Sequence, residues 1–397
     1  MGQPFDIKDT PKRLLSIDAF RALNMLLMIF VNDLSGVSGM PDWIDHAKEF
    51  EDHLGFADTI FPAFLFIVGL SIPLAIGRKI QRGASFQSLA VPILSRSFAL
   101  IVMGFFHVNF EDYSAASVLP APVWEILITI AFFLIWLDYS PDLSKVKRYL
   151  LIGTGWAILI VMAFLFKGEG RHGHLHGMRP SWWGILGIIG WSYLVCAGLF
   201  LIFKGKIWPM IAVLAAFLAV NILEHGFHIF LHLPEINDCS STVLVAAGVV
   251  ISLWYAKWTT NGIDKRLWLS FFIVGVLAIA AGLLIRPYSG GISKIRSTPA
   301  WVLICTGISI LMFEVMIYLV DLKGKKNWFR LIWPAGTSTL TCYLIPYLMV
   351  GLFSLIDFNY PHFMNHGIGG FFRSWLVGFV VIMIGGFLEK RRLKLKI

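Results

Sequence analysis

The sequence predicts an all-α fold, a polytopic integral membrane helical bundle of about twelve transmembrane helices with both termini in the cytoplasm. Three observations carry this. Of the 397 residues, 57% are hydrophobic and 14% charged; soluble domains carry about 25% charge, so this chain lacks the polar surface a soluble particle of its size needs. Mean hydropathy is +0.74. Apolar runs long enough to cross a bilayer recur along the whole length. They lie near residues 18–36, 57–76, 92–108, 122–138, 149–166, 184–203, 207–224, 240–256, 267–285, 300–320, 332–353 and 369–388. Finally, with the N-terminus inside, 23 Lys and Arg fall on cytoplasmic segments and 8 on outer ones, with Arg21 and Arg96 left inside helices. That asymmetry sets both ends inside and makes the number of spans even.

These features exclude a soluble enzyme, a nucleic-acid binder and a fibrous protein. The net charge of +9 reads as an orientation signal beside membrane lipid rather than as a nucleic-acid footprint. A single transmembrane domain is expected over 1–397, with 1–17 as a cytoplasmic N-terminal segment and 389–397 as a basic cytoplasmic tail. The first 17 residues are polar, so the first helix itself is expected to act as the insertion signal. Cys196, Cys239, Cys305 and Cys342 are scattered without paired spacing and read as small core residues. No internal repeat is evident, which weighs mildly against a transporter.

The first helix is unusual. At 100° per residue, Asp18, Arg21, Asn24 and Asn32 fall within one arc of about 120°. From Asp18 to Asn32 the rise is roughly 21 Å, so the stripe crosses much of the hydrocarbon layer, where ionisable groups normally face a cavity or a partner. The plainer reading is an Asp18–Arg21 pair with asparagines as interhelical glue.

The second helix opens on Asp58, five residues after His53. A histidine titrates near neutrality and can accept a proton from an attacking amine or hydroxyl. A neighbouring carboxylate can orient the ring. His53 at the outer face therefore suits a general base, although an interfacial histidine is more often structural. Arg96 joins Arg21 as an intramembrane cation near the cytoplasmic side, while Arg78, Lys79 and Arg82 fit the positive-inside pattern. Lys294 and Arg296 stand on a base-poor outer face and suit an anionic or hydroxyl-rich acceptor, or lipid headgroups. His172, His174 and His176 alternate in a Gly-rich loop, and His225, His228 and His232 fall at i, i+3 and i+7. Either group has zinc-like spacing, but solvated loop histidines are the plainer account, and no metal is expected.

The run RLLSIDAFRALNMLLMIFVND, followed by DHLGFADTIFPAFLFIVGLSIPLA, resembles the opening of the heparan-α-glucosaminide N-acetyltransferase family and its bacterial relatives. The matching positions are Arg13, Leu14, Ser16, Asp18, Phe20, Arg21, Asn32, His53, Asp58, Phe61, Pro62, Phe64, Phe66, Ile67, Gly69 and Ser71. WGILGIIGWSYLV from Trp183 and KIRSTPAWVL from Lys294 are also similar. The resemblance implies transfer of an acetyl group from cytosolic acetyl-CoA, as co-substrate, to the amino group of a periplasmic amino sugar or glycan. It maps the essential histidine to His53 and the early asparagine to Asn32. The gap from His53 to Asp58 is shorter than in the lysosomal enzymes, a departure that bears on the geometry of Asp58. The second departure, the lack of their long N-terminal luminal extension, leads to the expectation of a bacterial inner-membrane protein.

On this reading His53, Asn32 and Asp58 are catalytic, Asp18, Arg21, Asn24 and Arg96 bind the cofactor, and Lys294 and Arg296 bind the acceptor. A thioester is already activated, so the protein must bring it to the acceptor, deprotonate that acceptor and stabilise an oxyanion, for which Asn32 is the expected donor. Two other functions fit the same residues: an amino-sugar transporter, and an O-acyltransferase of a cell-envelope glycan. A homodimer is compatible with each.

Overall fold

The computed structural model describes residues 14–170, 173–231, 233, 235–259 and 265–397. Arg13, Arg171, His172 and His232 lie outside the described residues, as do Lys8 and Lys12. Helix α1 spans Leu15–Leu34 and α2 Ala57–Ile72; α2 runs on through a π turn at Pro73–Gly77 into the short α3, Arg78–Gln81. Then come α4 (Phe86–Phe110), α5 (Ala121–Trp136) and α6 (Lys145–Leu165). A two-residue antiparallel pair, β1 (Gly168–Glu169) with β2 (Leu175–His176), closes the loop that follows. The rest is helical: α7 (Gly184–Ile202), α8 (Ile207–Phe227), α9 (Ser240–Thr259), α10 (Lys265–Ile285), α11 (Pro299–Met316), α12 (Trp333–Thr337), α13 (Thr339–Leu355) and α14 (Gly367–Lys390).

Among the described residues, ten helices are long and apolar enough to cross a membrane, and Ala121–Trp136 and Thr339–Leu355 are shorter apolar helices. Every predicted span thus meets a helix, and the membrane bundle is all-α. Local signals set the ends. Ser85 and Ser144 cap α4 and α6 by accepting from the Ser88 and Lys147 amides, and α5 and α11 carry a proline in their first turn.

Two features depart from the sequence reading. The span expected at 332–353 is broken at Ser338, whose φ of −129° and ψ of 41° are not helical. The break releases the Gly336 carbonyl from helical pairing, and Arg21 Nη1 donates to it at 3.3 Å. The basic tail does not simply trail into solvent: Leu395 forms an antiparallel bridge with Leu137 beyond α5.

Helices α1, α2 and α9 form the centre, with 83% of the apolar window of α9 buried against 11% for α8. With lipid as solvent, apolar side chains alone do not drive helices together, and close backbone approach does more. A methyl group on Gly69 would overlap the Val245 carbonyl, and one on Gly248 the Phe66 carbonyl. Helices α2 and α9 therefore touch backbone to backbone. The Asp18 carbonyl lies against Gly336 of α12, and Thr337 donates to Glu389 at 2.7 Å. The start of α1 and the end of α14 thus share one face, called here the basic face.

Candidate active site

Opposite the basic face, the loop from α1 to α2 folds back against the bundle. The Phe56 and Ala57 amides donate to the Trp43 and Ile44 carbonyls, and Ile44 and Ala47 are buried. His46 lies between them and is turned inward. Asp58, in the first turn of α2 and 1% exposed, accepts from His46 Nδ1 at 2.7 Å, from the Ala47 amide at 3.0 Å and from the Gly55 amide at 3.2 Å. With Nδ1–H donating to the carboxylate, Nε2 keeps its lone pair, the tautomer a general base requires.

Lys294 completes the cluster from the loop between α10 and α11. Its Nζ lies 3.2 Å from His46 Nδ1 and 4.0 Å from Asp58 Oδ1. Burial pushes the Lys294 ammonium below the usual lysine range, and Asp58 partly opposes that. A second aspartate locks the two loops together. Asp52 accepts from Arg286 Nε at 2.8 Å and from the Ile292 amide at 2.7 Å, and Gly291, at a φ of 84°, is packed against its carboxyl group. Arg296 donates to the Glu49 and Gly290 carbonyls and lies over the Phe50 ring. Trp301 Nε1 donates to the Asp58 carbonyl at 3.1 Å, tying α11 to α2.

His46 and Lys294 stand on the wall of a chamber of about 780 Å3, with Asn32, Phe61, Trp182, Trp183 and Trp301. Asn32 is exposed at the end of α1. Its neighbour Asp33 fixes that end, accepting from Arg373 Nη2 at 3.0 Å and from Ser374 Oγ at 2.6 Å. A second His–Asp contact, His225 to Asp238 at 3.2 Å, lies on the same chamber.

A second cavity of about 460 Å3 extends from the basic face. It is lined by Arg21, Ser71, Arg96, Tyr193, Lys394 and Lys396 among others. Met28 and Ile185 line both cavities, so the two spaces stand back to back across these side chains. Arg21 Nη2 donates to Ser71 Oγ at 2.7 Å, and Nη1 to Asp18 Oδ1 at 3.2 Å. Arg96 lies over the Tyr193 ring at 5.0 Å.

The expected residues therefore divide. Asn32, Lys294 and Arg296 meet at the chamber, with Asp58 buried directly behind His46. Arg21 and Arg96 meet at the second cavity, and Asp18 supports Arg21. Asn24 is on neither wall; it is buried and donates to the Ile60 carbonyl at 3.1 Å, holding α1 to α2. The expected pairing of His53 with Asp58 does not form. His53 is exposed and outside both cavities, because the clasped Asp52 beside it holds that end of the loop at the surface. Lys294 faces the Asp58 carboxylate at 4.0 Å and Arg296 is occupied by backbone carbonyls, so neither cation is simply presented to an acceptor.

The residue the sequence reading missed is His46. Its signal was the apolar pair Ile44 and Ala47 in a polar loop, which marks the stretch that turns inward. Among the described residues no three or more His, Cys, Asp or Glu side chains converge as metal ligands.

A family model described as "Domain of unknown function (DUF5009)" matches residues 13–226, more than half of the chain. The chain belongs to the DUF5009 family. This DUF5009 protein is also 42% identical over 100 residues, 25% of its length, to heparan-alpha-glucosaminide N-acetyltransferase of Homo sapiens. It is 38% identical over 107 residues, 27% of its length, to the Mus musculus protein of the same name. The matched stretches cover 14% and 16% of those two relatives. The resemblance read from the opening residues stands.

Proposed function

We propose that the chain is a transmembrane acetyltransferase that moves an acetyl group from cytosolic acetyl-CoA to the amino group of an amino sugar on the other side of a bacterial inner membrane. One observation carries the reading: an imidazole backed by a buried carboxylate, on a chamber that adjoins a cation-lined cavity from the opposite face. The family resemblance supports the acetyl chemistry.

The thioester enters from the basic face past Arg21 and Arg96, whose guanidinium groups suit phosphate oxygens. Its acyl end reaches toward Met28 and Ile185. The acceptor sits in the chamber, where Trp182 and Trp183 offer flat faces to a sugar ring. His46 Nε2 takes a proton as the amine nitrogen attacks the thioester carbonyl carbon. Asp58 holds the ring in the required tautomer and stabilises the imidazolium. Asn32, at the rim, donates to the developing oxyanion. The carbon–sulfur bond then breaks, and the proton held by His46 is returned to the leaving thiolate, so that free CoA and the N-acetyl sugar are the products.

The test is label transfer by purified protein from acetyl-labelled acetyl-CoA to glucosamine-type acceptors. Labelled N-acetyl sugar is the expected product. Uptake of labelled sugar into vesicles without any acetyl-CoA, with no acetyl transfer, would instead make the chain a carrier.

A further inference from the structure

Beyond α14 the chain reverses at Arg392, whose φ is 58°, and residues 393–397 run back across the end of α5. The Asp138 amide donates to the Lys394 carbonyl at 2.8 Å and the Lys396 amide to the Trp136 carbonyl at 2.8 Å. The Leu395 amide donates to Thr341 Oγ1 at 3.0 Å, and the Leu395 side chain is buried. The segment is thus a short, anchored strand. It brings Lys394 and Lys396 onto the wall of the second cavity, beside Arg21 and Arg96.

Both lysines are held by carboxylates that are easily exchanged. Lys394 Nζ lies 3.0 Å from Glu389 Oε1, and Lys396 Nζ 3.0 Å from Asp138 Oδ1. Partly exposed pairs of this kind are worth about 0–1 kcal/mol. A phosphate brings more charge and more acceptor oxygens than a carboxylate and competes well for such ammonium groups. Glu389 retains Thr337 as a donor at 2.7 Å when its lysine leaves. On the same cavity, Arg96 Nε is buried without a hydrogen-bond partner among the described residues.

We propose that residues 393–397 form part of the donor site: the phosphates of a nucleotide-bearing thioester take Lys394 and Lys396 from Glu389 and Asp138, and the strand clamps the nucleotide end in the cavity. This rests on the acetyl-CoA reading above. The ligand class is a phosphorylated adenosine carrier, and the strand selects it over a thioester that lacks the phosphates.

The experiment compares acetyl-CoA with S-acetylpantetheine, which has no nucleotide, on the full chain with and without K394Q/K396Q. Loss of one charge-assisted contact corresponds to about tenfold in affinity. KM for acetyl-CoA is therefore expected to rise about tenfold or more in the variant, with kcat and the KM for S-acetylpantetheine changing less than about twofold. K394R/K396R should restore the KM for acetyl-CoA. A KM that does not change, or that rises equally for both thioesters, overturns the proposal.

Equilibrium binding of radiolabelled CoA separates this claim from the one it rests on. Binding that weakens in the variant, without acetyl transfer by the wild type, refutes the transferase and leaves the strand in the site. Binding that is the same in both proteins refutes the strand alone, and no binding by the wild type refutes both.

Discussion

Replacing His46 removes the one imidazole that Asp58 holds on the chamber wall. The ring is 32% exposed, and its Nδ1 donates to Asp58 at 2.7 Å. A positioned general base contributes about 10² to 10⁴ in rate, equivalent to about 2.7–5.4 kcal/mol of transition-state stabilisation at 1.36 kcal/mol per decade. H46A also withdraws one of three hydrogen bonds from a buried carboxylate. Bonds to charged groups are worth about 1.5–3 kcal/mol, so part of the loss in H46A will be structural. H46Q separates the two effects: its amide can still donate toward Asp58 but cannot accept a proton at neutral pH. The expected result is that H46Q keeps its melting temperature near that of the wild type while kcat/KM falls by about 10² or more. H53A, at an exposed position outside both cavities, should stay within about twofold in activity and 0.5 kcal/mol in stability. The assay is label transfer from acetyl-CoA to glucosamine by purified protein. Full activity in H46Q, or a collapse confined to H53A, would refute the assignment.

Other substitutions test the surroundings. Because burial lowers the Lys294 ammonium, the folded chain gives up this proton at lower pH than the unfolded one, so stability should rise with pH through that alkaline window, and the rise in melting temperature should flatten in K294M. Burial pushes Asp52 up, but the Ile292 amide and Arg286 outweigh it and leave it below the ordinary carboxylate value. Its contribution to stability is then present above the unfolded-state value and is lost as pH falls through the folded one. D52N should accordingly lower the melting temperature at pH 7, with the gap closing only in strong acid. G248A forces a methyl group onto the Phe66 carbonyl, and overpacking of this kind costs about 1–3 kcal/mol, to be read as thermal stability in detergent.

The ten long and two shorter apolar helices among the described residues were legible because apolar run length is set by bilayer thickness, a one-dimensional property. The break at Ser338 was overlooked inside an expected continuous span, although Pro334, Gly336 and the hydroxyl run Thr337, Ser338 and Thr339 that surround it are turn-forming residues. Helical periodicity correctly grouped Arg21 and Asn32 on one stripe of α1 as cavity residues. It could not show that Asn24, on the same stripe, is consumed by the Ile60 carbonyl of a neighbouring helix. The same limit governs the histidines. His53 is nearer to Asp58 in sequence, but a loop that doubles back brings His46 there from twelve residues away, and only packing decides between them. Lys294 was visible as an outer cation, yet its contact with Asp58 joins residues more than 230 positions apart. The tail lysines read only as part of a basic cytoplasmic tail, because strand pairing with Leu137 leaves no trace in composition.

The central claim is that donor and acceptor approach from opposite faces and meet across Met28 and Ile185. Sealed vesicles with the protein in one orientation test it directly, with acetyl-CoA supplied only at the basic face and glucosamine only at the other. The account predicts N-acetyl sugar on the acceptor side while CoA stays on the donor side, and loss of both products when Met28→Trp fills the junction. Product formed only when both substrates share a compartment, or unaffected by M28W, would contradict it.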